Sequence, residues 1–279
     1  MQISYSVWDP MANITVLVTS SVDPTARPFI SKHLIETIEG AEQVGYLEIK
    51  TDSTSCLNMT GGEFCGNAAM SVAAMIAGRY DSISDKGIEI VLSVSGASDP
   101  VSVYVENGTE TDSYICTVTM PLPATVEIFD TVLDDAPVSI PLVRLPGIAH
   151  FVVQNSISPE ETAEIEDLLR KLAQKVESDA YGMIFIGEAE MPILPLLYVP
   201  AADTMIWENA CGSGSAAVAA WLAAQHGDPV AIRLKQPGGD SILARAKVTM
   251  TAPGEVGVSF LSITGSVKLR EYATIEIDI

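Results

Sequence analysis

The chain has 279 residues, 48% of them hydrophobic, which supports one large core or two compact ones and excludes a disordered polypeptide. Its 15 Lys and Arg against 36 Asp and Glu leave a formal charge of −21 and a sequence pI near 4.3. Such a surface repels polyanions, so nucleic acid and anionic membranes are not expected partners.

The opening "MQISYSVWDPM" has no basic segment followed by an apolar core. The longest strongly apolar helical run, Ala210 to Ala224, is shorter than the ~18 residues that read as a membrane span. A cytoplasmic protein is expected. Four cysteines, Cys56, Cys65, Cys116 and Cys211, show no CxxC spacing, and there are three histidines. This usage points to reduced thiols rather than to a disulfide framework or a metal cage.

In chain order, the first element is a strand-like stretch, "DPMANITVLV" (Asp9 to Val18), followed by a helix from about Pro28 to Glu39. Then comes "GGEFCGNAAMSVAAMIAG" (Gly61 to Gly78), a helix too apolar to lie on a surface, with Cys65 at its mouth. The β-branched run "IEIVLSVSGASDPVSVYV" follows, with Gly96 in a turn. Past Pro137 to Pro146 the series begins again. "LPGIAHFVVQ" (Leu145 to Gln154) is strand-like. A helix then opens with Ser158 as N-cap, Pro159 in the first turn and Glu160 and Glu161 near the positive end, and Ile165, Leu168, Leu169, Leu172 and Val176 form its apolar face. "ENACGSGSAAVAAWLAA" (Glu208 to Ala224) is a second apolar helix with Cys211 at its mouth, and "VAIRLKQPGGDSILARAKV" supplies two more strands around Gly238 and Gly239.

Setting Cys65 on Cys211 aligns C-G-N-A-A-M-S-V-A-A-M-I-A-G with C-G-S-G-S-A-A-V-A-A-W-L-A-A, six of fourteen positions being identical (C, G, V, A, A and A). The matching order of the flanking elements extends the correspondence, which marks an internal duplication. A helix apolar on nearly all sides must be buried, and its alanines let strands close around it. The expected fold is α+β, with two similar domains, residues 1–140 and 141–279, each wrapped about one Cys-Gly helix and with a cleft between them.

A thiol in the first turn of a helix meets free N–H groups and a partial positive charge, which lowers its pKa from about 8.5. Gly66, Asn67, Gly212 and Ser213 can offer N–H donors to a carboxylate. Two such thiols on one small substrate suit proton removal from one face of an α-carbon and proton return on the other. One must be thiolate and the other thiol, so the pair titrates jointly. Fixed helix dipoles would stabilise the carbanion, and no pyridoxal phosphate or other cofactor is demanded.

"EFCGNAAM" and "WENACGSGSA" resemble the paired cysteine motifs of the diaminopimelate epimerase-like family of amino-acid racemases, which work without a cofactor. The order of elements is similar over nearly the whole chain. The resemblance implies two pseudo-symmetric domains, each a β-barrel around a central helix. It also implies Cys65 and Cys211 as catalytic bases, Gly66, Asn67, Gly212 and Ser213 as carboxylate-binding groups, and Asn13, Gln43 and His150 as ligand-side residues. Diaminopimelate epimerases carry a Gly-x-Arg after the first Cys-Gly-Asn and a Glu-Arg pair before the second cysteine. Here those places read Ala68, Ala69, Met70 and "AADTMIWEN", without the grip on a distal amino acid.

Histidine racemases of opine-metallophore pathways are more similar, through "EQVG", "EFCGNA", "IWEN", "CGSG" and "QPGG". This resemblance implies Glu42 as the reader of the substrate's imidazole and a homodimer as the candidate assembly; Glu208 joins the substrate-side residues beside Cys211. Racemization of diaminopimelate, proline or hydroxyproline, isomerisation of the phenazine-biosynthesis type, a non-catalytic amino-acid-binding module and a thiol redox protein are the alternative readings. Cys56 and Cys116 lack the Cys-Gly context and are read as structural.

Overall fold

A computed structural model of the chain describes residues 1–49, 55–80, 83, 86–155, 161–188, 191–252 and 255–277. The protein is a sheet-rich α+β structure with two β-sheets and four α-helices among the described residues. It forms two compact units, Met1–Thr119 with Thr264–Ile279, and Met120–Ile263.

In the first unit, β1 (Gln2–Asp9) and β2 (Ile14–Val18) pair antiparallel, α1 (Arg27–Thr37) crosses over to β3 (Ala41–Ile49), parallel to β2, and β4 (Ser55–Met59) returns antiparallel to β3. Then come α2 (Gly66–Ala77) and the antiparallel strands β5 (Ile88–Val94), β6 (Val101–Asn107) and β7 (Ser113–Thr119). Every residue of α2 is buried except Ile76, and the helix packs against β2, β5, β6 and β7. The strands show the alternation that half-burial demands: Ile90, Leu92 and Val94 face inward, while Val91 and Ser93 face out.

The second unit repeats these steps. The hairpin of β8 (Thr125–Leu133) and β9 (Ala136–Leu145) leads to β10 (Ile148–Val153), antiparallel to β9, and α3 (Thr162–Ala173) crosses to β11 (Ala180–Ile186), parallel to β10. Next, β12 (Ile193–Val199) runs antiparallel to β11, and β13 (Thr204–Trp207) to β12. Then α4 (Gly212–His226) precedes the hairpin of β14 (Val230–Lys235) and β15 (Ser241–Ala252). Helix α4 packs against β8 to β11, β14 and β15. The last strand, β16 (Glu255–Glu276), pairs with β1 over Lys268–Glu276.

Several expected elements come out differently. Asp9 to Val18 is not one strand: Met11 and Ala12 have φ of 58° and 68° and turn the chain between β1 and β2, with the Asp9 carboxylate accepting the Ala12 N–H at 2.7 Å. Leu145 to Gln154 likewise breaks at Gly147, φ 79°. Ser158, Pro159 and Glu160 lie outside the described residues. Glu161 is the N-cap of α3 without a side-chain capping bond, and Ile165, Leu169 and Leu172 form the buried face. The expected dividing point at 140/141 falls within β9, whereas the compact units divide at 119/120 and 263/264. No described helix is long and apolar enough to cross a membrane.

Candidate active site

The two Cys-Gly helices begin alike. Cys65 caps α2 with φ −127° and ψ 111°, and Cys211 caps α4 with φ −120° and ψ 105°. Each sulfur accepts the N–H three residues on, Ala68 at 3.4 Å and Gly214 at 3.3 Å, so the thiol takes the place of a capping hydroxyl. Each cysteine carbonyl accepts the next helical N–H, from Ala69 or Ser215, at 3.0 Å. Gly66 and Gly212 are the first helical residues, and neither adds a side chain at the mouth.

Around the first mouth stand Asn13, from the β1–β2 turn, and Glu42 and Gln43 at the start of β3. The Cys65 thiol donates to Gln43 Oε1 at 3.0 Å, and Gln43 Nε2 donates to Asn13 Oδ1 and, at 3.0 Å, to Thr15 Oγ1. Asn13 Nδ2 donates to Glu42 Oε2 at 2.6 Å. Asn67 is buried in the first turn of α2, and its Oδ1 has no hydrogen-bond partner among the described residues.

At the second mouth, Ser213 Oγ lies 3.6 Å from the Cys211 sulfur and 3.0 Å from His150 Nε2. His150 is fully buried on β10, and desolvation pushes its pKa down to about 3, so the ring is neutral. Its Nδ1 has no partner among the described residues and faces Gly182, the neighbouring position on β11, where a Cβ would overlap the ring. Glu208 acts directly on Cys211. The position at a helix mouth predicts a lowered thiol pKa, but that of Cys211 is raised instead. Burial is the largest cause, followed by the Glu208 charge and a hydrogen bond to that carboxylate, against which Ser213 and the Gly214 N–H pull only partly. The helix dipole is a surface-scale effect, and full burial exceeds it.

Asn13, Glu42, Gln43, Cys65, Gly66 and Asn67 thus gather in one unit, and His150, Glu208, Cys211, Gly212 and Ser213 in the other. Sequence reasoning missed the buttresses of both mouths. Buried Gln236, in "QPGG", accepts the Cys211 N–H at 3.0 Å and donates to Ser215 Oγ at 3.1 Å, and Gly238 N–H donates to Asn209 O at 2.8 Å. Ser95 takes the Met59 N–H at 2.9 Å and donates to Glu63 O at 2.8 Å, while Gly96, φ 75°, lies against the Glu63–Phe64 backbone. A glutamine between an apolar strand and a Pro-Gly turn was the available signal. Cys116 is wholly buried, with its thiol pKa pushed up by desolvation and its sulfur 3.7 Å from Met70 O; Cys56 is half-buried.

The architecture is that of the proline racemase and phenazine-biosynthesis-type proteins. The chain is similar to a hydroxyproline epimerase from Agrobacterium vitis, solved with bound trans-4-hydroxy-L-proline, at TM-score 0.72 and 12% identity, covering 98% of this chain and 91% of that one. It is also similar to a phenazine-biosynthesis PhzF family protein from Enterococcus faecalis, at TM-score 0.59 and 14% identity, covering 99% and 100%.

Residues 2–271 match the family described as the histidine racemase CntK N-terminal domain. A histidine racemase from Fusobacterium nucleatum is 30% identical over 217 residues, 77% of this chain and 79% of that protein. One from Staphylococcus aureus is 28% identical over 255 residues, 88% and 89%. The chain belongs to the histidine racemase family and is an isomerase of the amino-acid racemase class.

Proposed function

We propose that the substrate is histidine and that the α-proton is exchanged through two thiols, Cys65 on one face of the α-carbon and Cys211 on the other. The observation that carries this reading is the near-identical seating of the two cysteines as N-caps of buried helices, with capping bonds of 3.4 and 3.3 Å. Inversion needs two acid/base groups, because one base would return the proton to the face it left. The N–H groups of Gly66, Asn67, Gly212 and Ser213 hold the substrate carboxylate, and their dipoles stabilise the charge that forms when the proton leaves.

Glu208 bears on the proton of Cys211, and neutral His150 orients Ser213 beside it. Asn13 and Gln43 line the Cys65 side, and Glu42 accepts an imidazole N–H of the substrate. Nothing in this chemistry requires a cofactor. The repeated order of strand pairings supports two pseudo-symmetric halves, each a β-barrel closed around its Cys-Gly helix. Family membership supports a place in opine-metallophore synthesis.

The test is incubation with single enantiomers of histidine, proline, hydroxyproline and diaminopimelate in deuterated water. Loss of optical activity with α-deuteration is expected for histidine. A protein that binds histidine but leaves its α-hydrogen unexchanged is a binding module, and exchange confined to another amino acid overturns the substrate assignment.

A further inference from the structure

We infer that Glu42 and Asn13 are positioning residues that, through Gln43, favour the protonated form of Cys65 in the substrate-free protein. The inference rests on the two-thiol reading but concerns hydrogen-bond direction, which the geometry around Cys65 restricts. An ionised carboxylate can only accept. Glu42 Oε2, 2.6 Å from the Asn13 side chain, therefore requires that amide to present its nitrogen. Asn13 Oδ1 is then left toward Gln43, which must answer with its own nitrogen. Gln43 Oε1 is what remains for the sulfur, 3.0 Å away, and a carbonyl oxygen there accepts from S–H but repels a thiolate.

Thr15 adds a second constraint of the same sense. Its hydroxyl donates to Asn13 O at 3.1 Å and so offers a lone pair, not a proton, to Gln43 Nε2 at 3.0 Å. A flipped Gln43 would set its oxygen against Asn13 Oδ1 in a largely buried place, where an unpaired polar atom is unfavourable. The direction thus runs from the Glu42 carboxylate to a sulfur that it does not touch. Glu63, two residues before Cys65, is turned toward Gly61.

The experiment is the pH dependence of Cys65 alkylation by iodoacetamide in the substrate-free protein, read peptide by peptide by mass spectrometry. It compares wild type with Glu42→Gln, Asn13→Leu and Gln43→Ala. A glutamine at position 42 can donate or accept, and a leucine at 13 severs the relay while keeping the Glu42 charge. Both changes remove the Asn13 share of the constraint on Gln43, leaving Thr15 as its remaining partner, so that its N–H can compete for a thiolate. The Cys65 midpoint is expected to fall by about one pH unit in each, roughly a tenfold faster alkylation below the midpoint. The Cys211 profile should stay unchanged. Should Asn13→Leu fail to fold, Asn13→Ser, too short to bridge Glu42 and Gln43, replaces it.

A shift in Gln43→Ala alone, or in Glu42→Gln but not in the Asn13 variant, overturns the relay, the latter because through-space charge then explains it. No shift in any variant overturns it as well. Deuterium exchange by the wild-type protein is scored separately, so failure of the racemase reading and failure of the relay are distinguishable.

Discussion

Each cysteine meets a different neighbour at the same backbone position: Gln43 at Cys65, and Glu208 with Ser213 at Cys211. Two equal caps thereby meet different partners, although each set of neighbours favours the S–H form, so the pair is to be treated as one coupled titration. Serine keeps the cap but is a far weaker acid. Cys65→Ser and Cys211→Ser are each expected to lower racemization by about 10²–10⁴-fold while leaving the melting temperature near wild type. Chiral chromatography of the product measures this, and full turnover by either variant removes that thiol from the mechanism. Gly182 is the matching test on the His150 side. A methyl group there overlaps the imidazole, so Gly182→Ala must displace His150 from Ser213. The expected loss is about 1–3 kcal/mol in denaturant unfolding, with activity falling alongside.

The helices matter as elements because each mouth is braced by the turn of the hairpin that follows it. Gln236 holds the Cys211 N–H and Ser215 Oγ, and Gly96 presses on the backbone leading into Cys65. Gln236→Leu leaves the buried Cys211 N–H without its partner, while Ser215 Oγ keeps its bond to Cys211 O, an expected loss of about 1–3 kcal/mol by thermal melting. Gly96→Ala combines an unfavourable φ of 75° with a Cβ 2.6 Å from the Glu63 carbonyl carbon. It should destabilise the first unit and slow alkylation at Cys65 more than at Cys211. Equal stability of Gly96→Ala and wild type would show that the turn does not brace the mouth.

Across the whole molecule, buried titratable groups set the pH range of stability. His150 has a folded pKa of about 3, below the unfolded value of about 6.5, so its contribution is present above pH ~6.5 and is lost as pH falls toward 3. A tenfold change in proton affinity corresponds to about 1.4 kcal/mol, so several kcal/mol are at stake between those limits. The difference in melting temperature between wild type and His150→Gln should move steadily in favour of the variant as pH falls from 6.5 to 4, and a constant difference would contradict it. The buried thiols Cys116 and Cys211 have raised pKa values, so their effect has the opposite sense. It is present below about pH 8.5 and lost above it. The charge of −21 adds self-repulsion, which salt should relieve with a rise in melting temperature.

Much of this was legible in the sequence because duplication, apolar helices and glycine turns are written in local pattern. The Cys-Gly helices, the Gly96 and Gly238–Gly239 hairpins and the apolar face Ile165, Leu169, Leu172 depend on spacing alone. The turn at Met11 and Ala12 was not, since neither residue favours positive φ and a carboxylate from Asp9 holds it. Nor could local pattern give the division at 119/120, which depends on where the returning chain from Thr264 packs.

By itself, then, the sequence determined that two thiols cap two buried helices, because periodicity and capping are properties of neighbours along the chain. Tertiary structure alone decided what each thiol faces. Gln43, Asn13 and Glu42 come to Cys65 through strand pairing, and His150, Glu208 and Gln236 come to the second mouth from separate elements. Burial and hydrogen-bond direction at a sulfur depend on atoms distant in sequence, so the upward displacement of the Cys211 pKa, where a helix mouth alone predicts a downward one, emerged only from the fold.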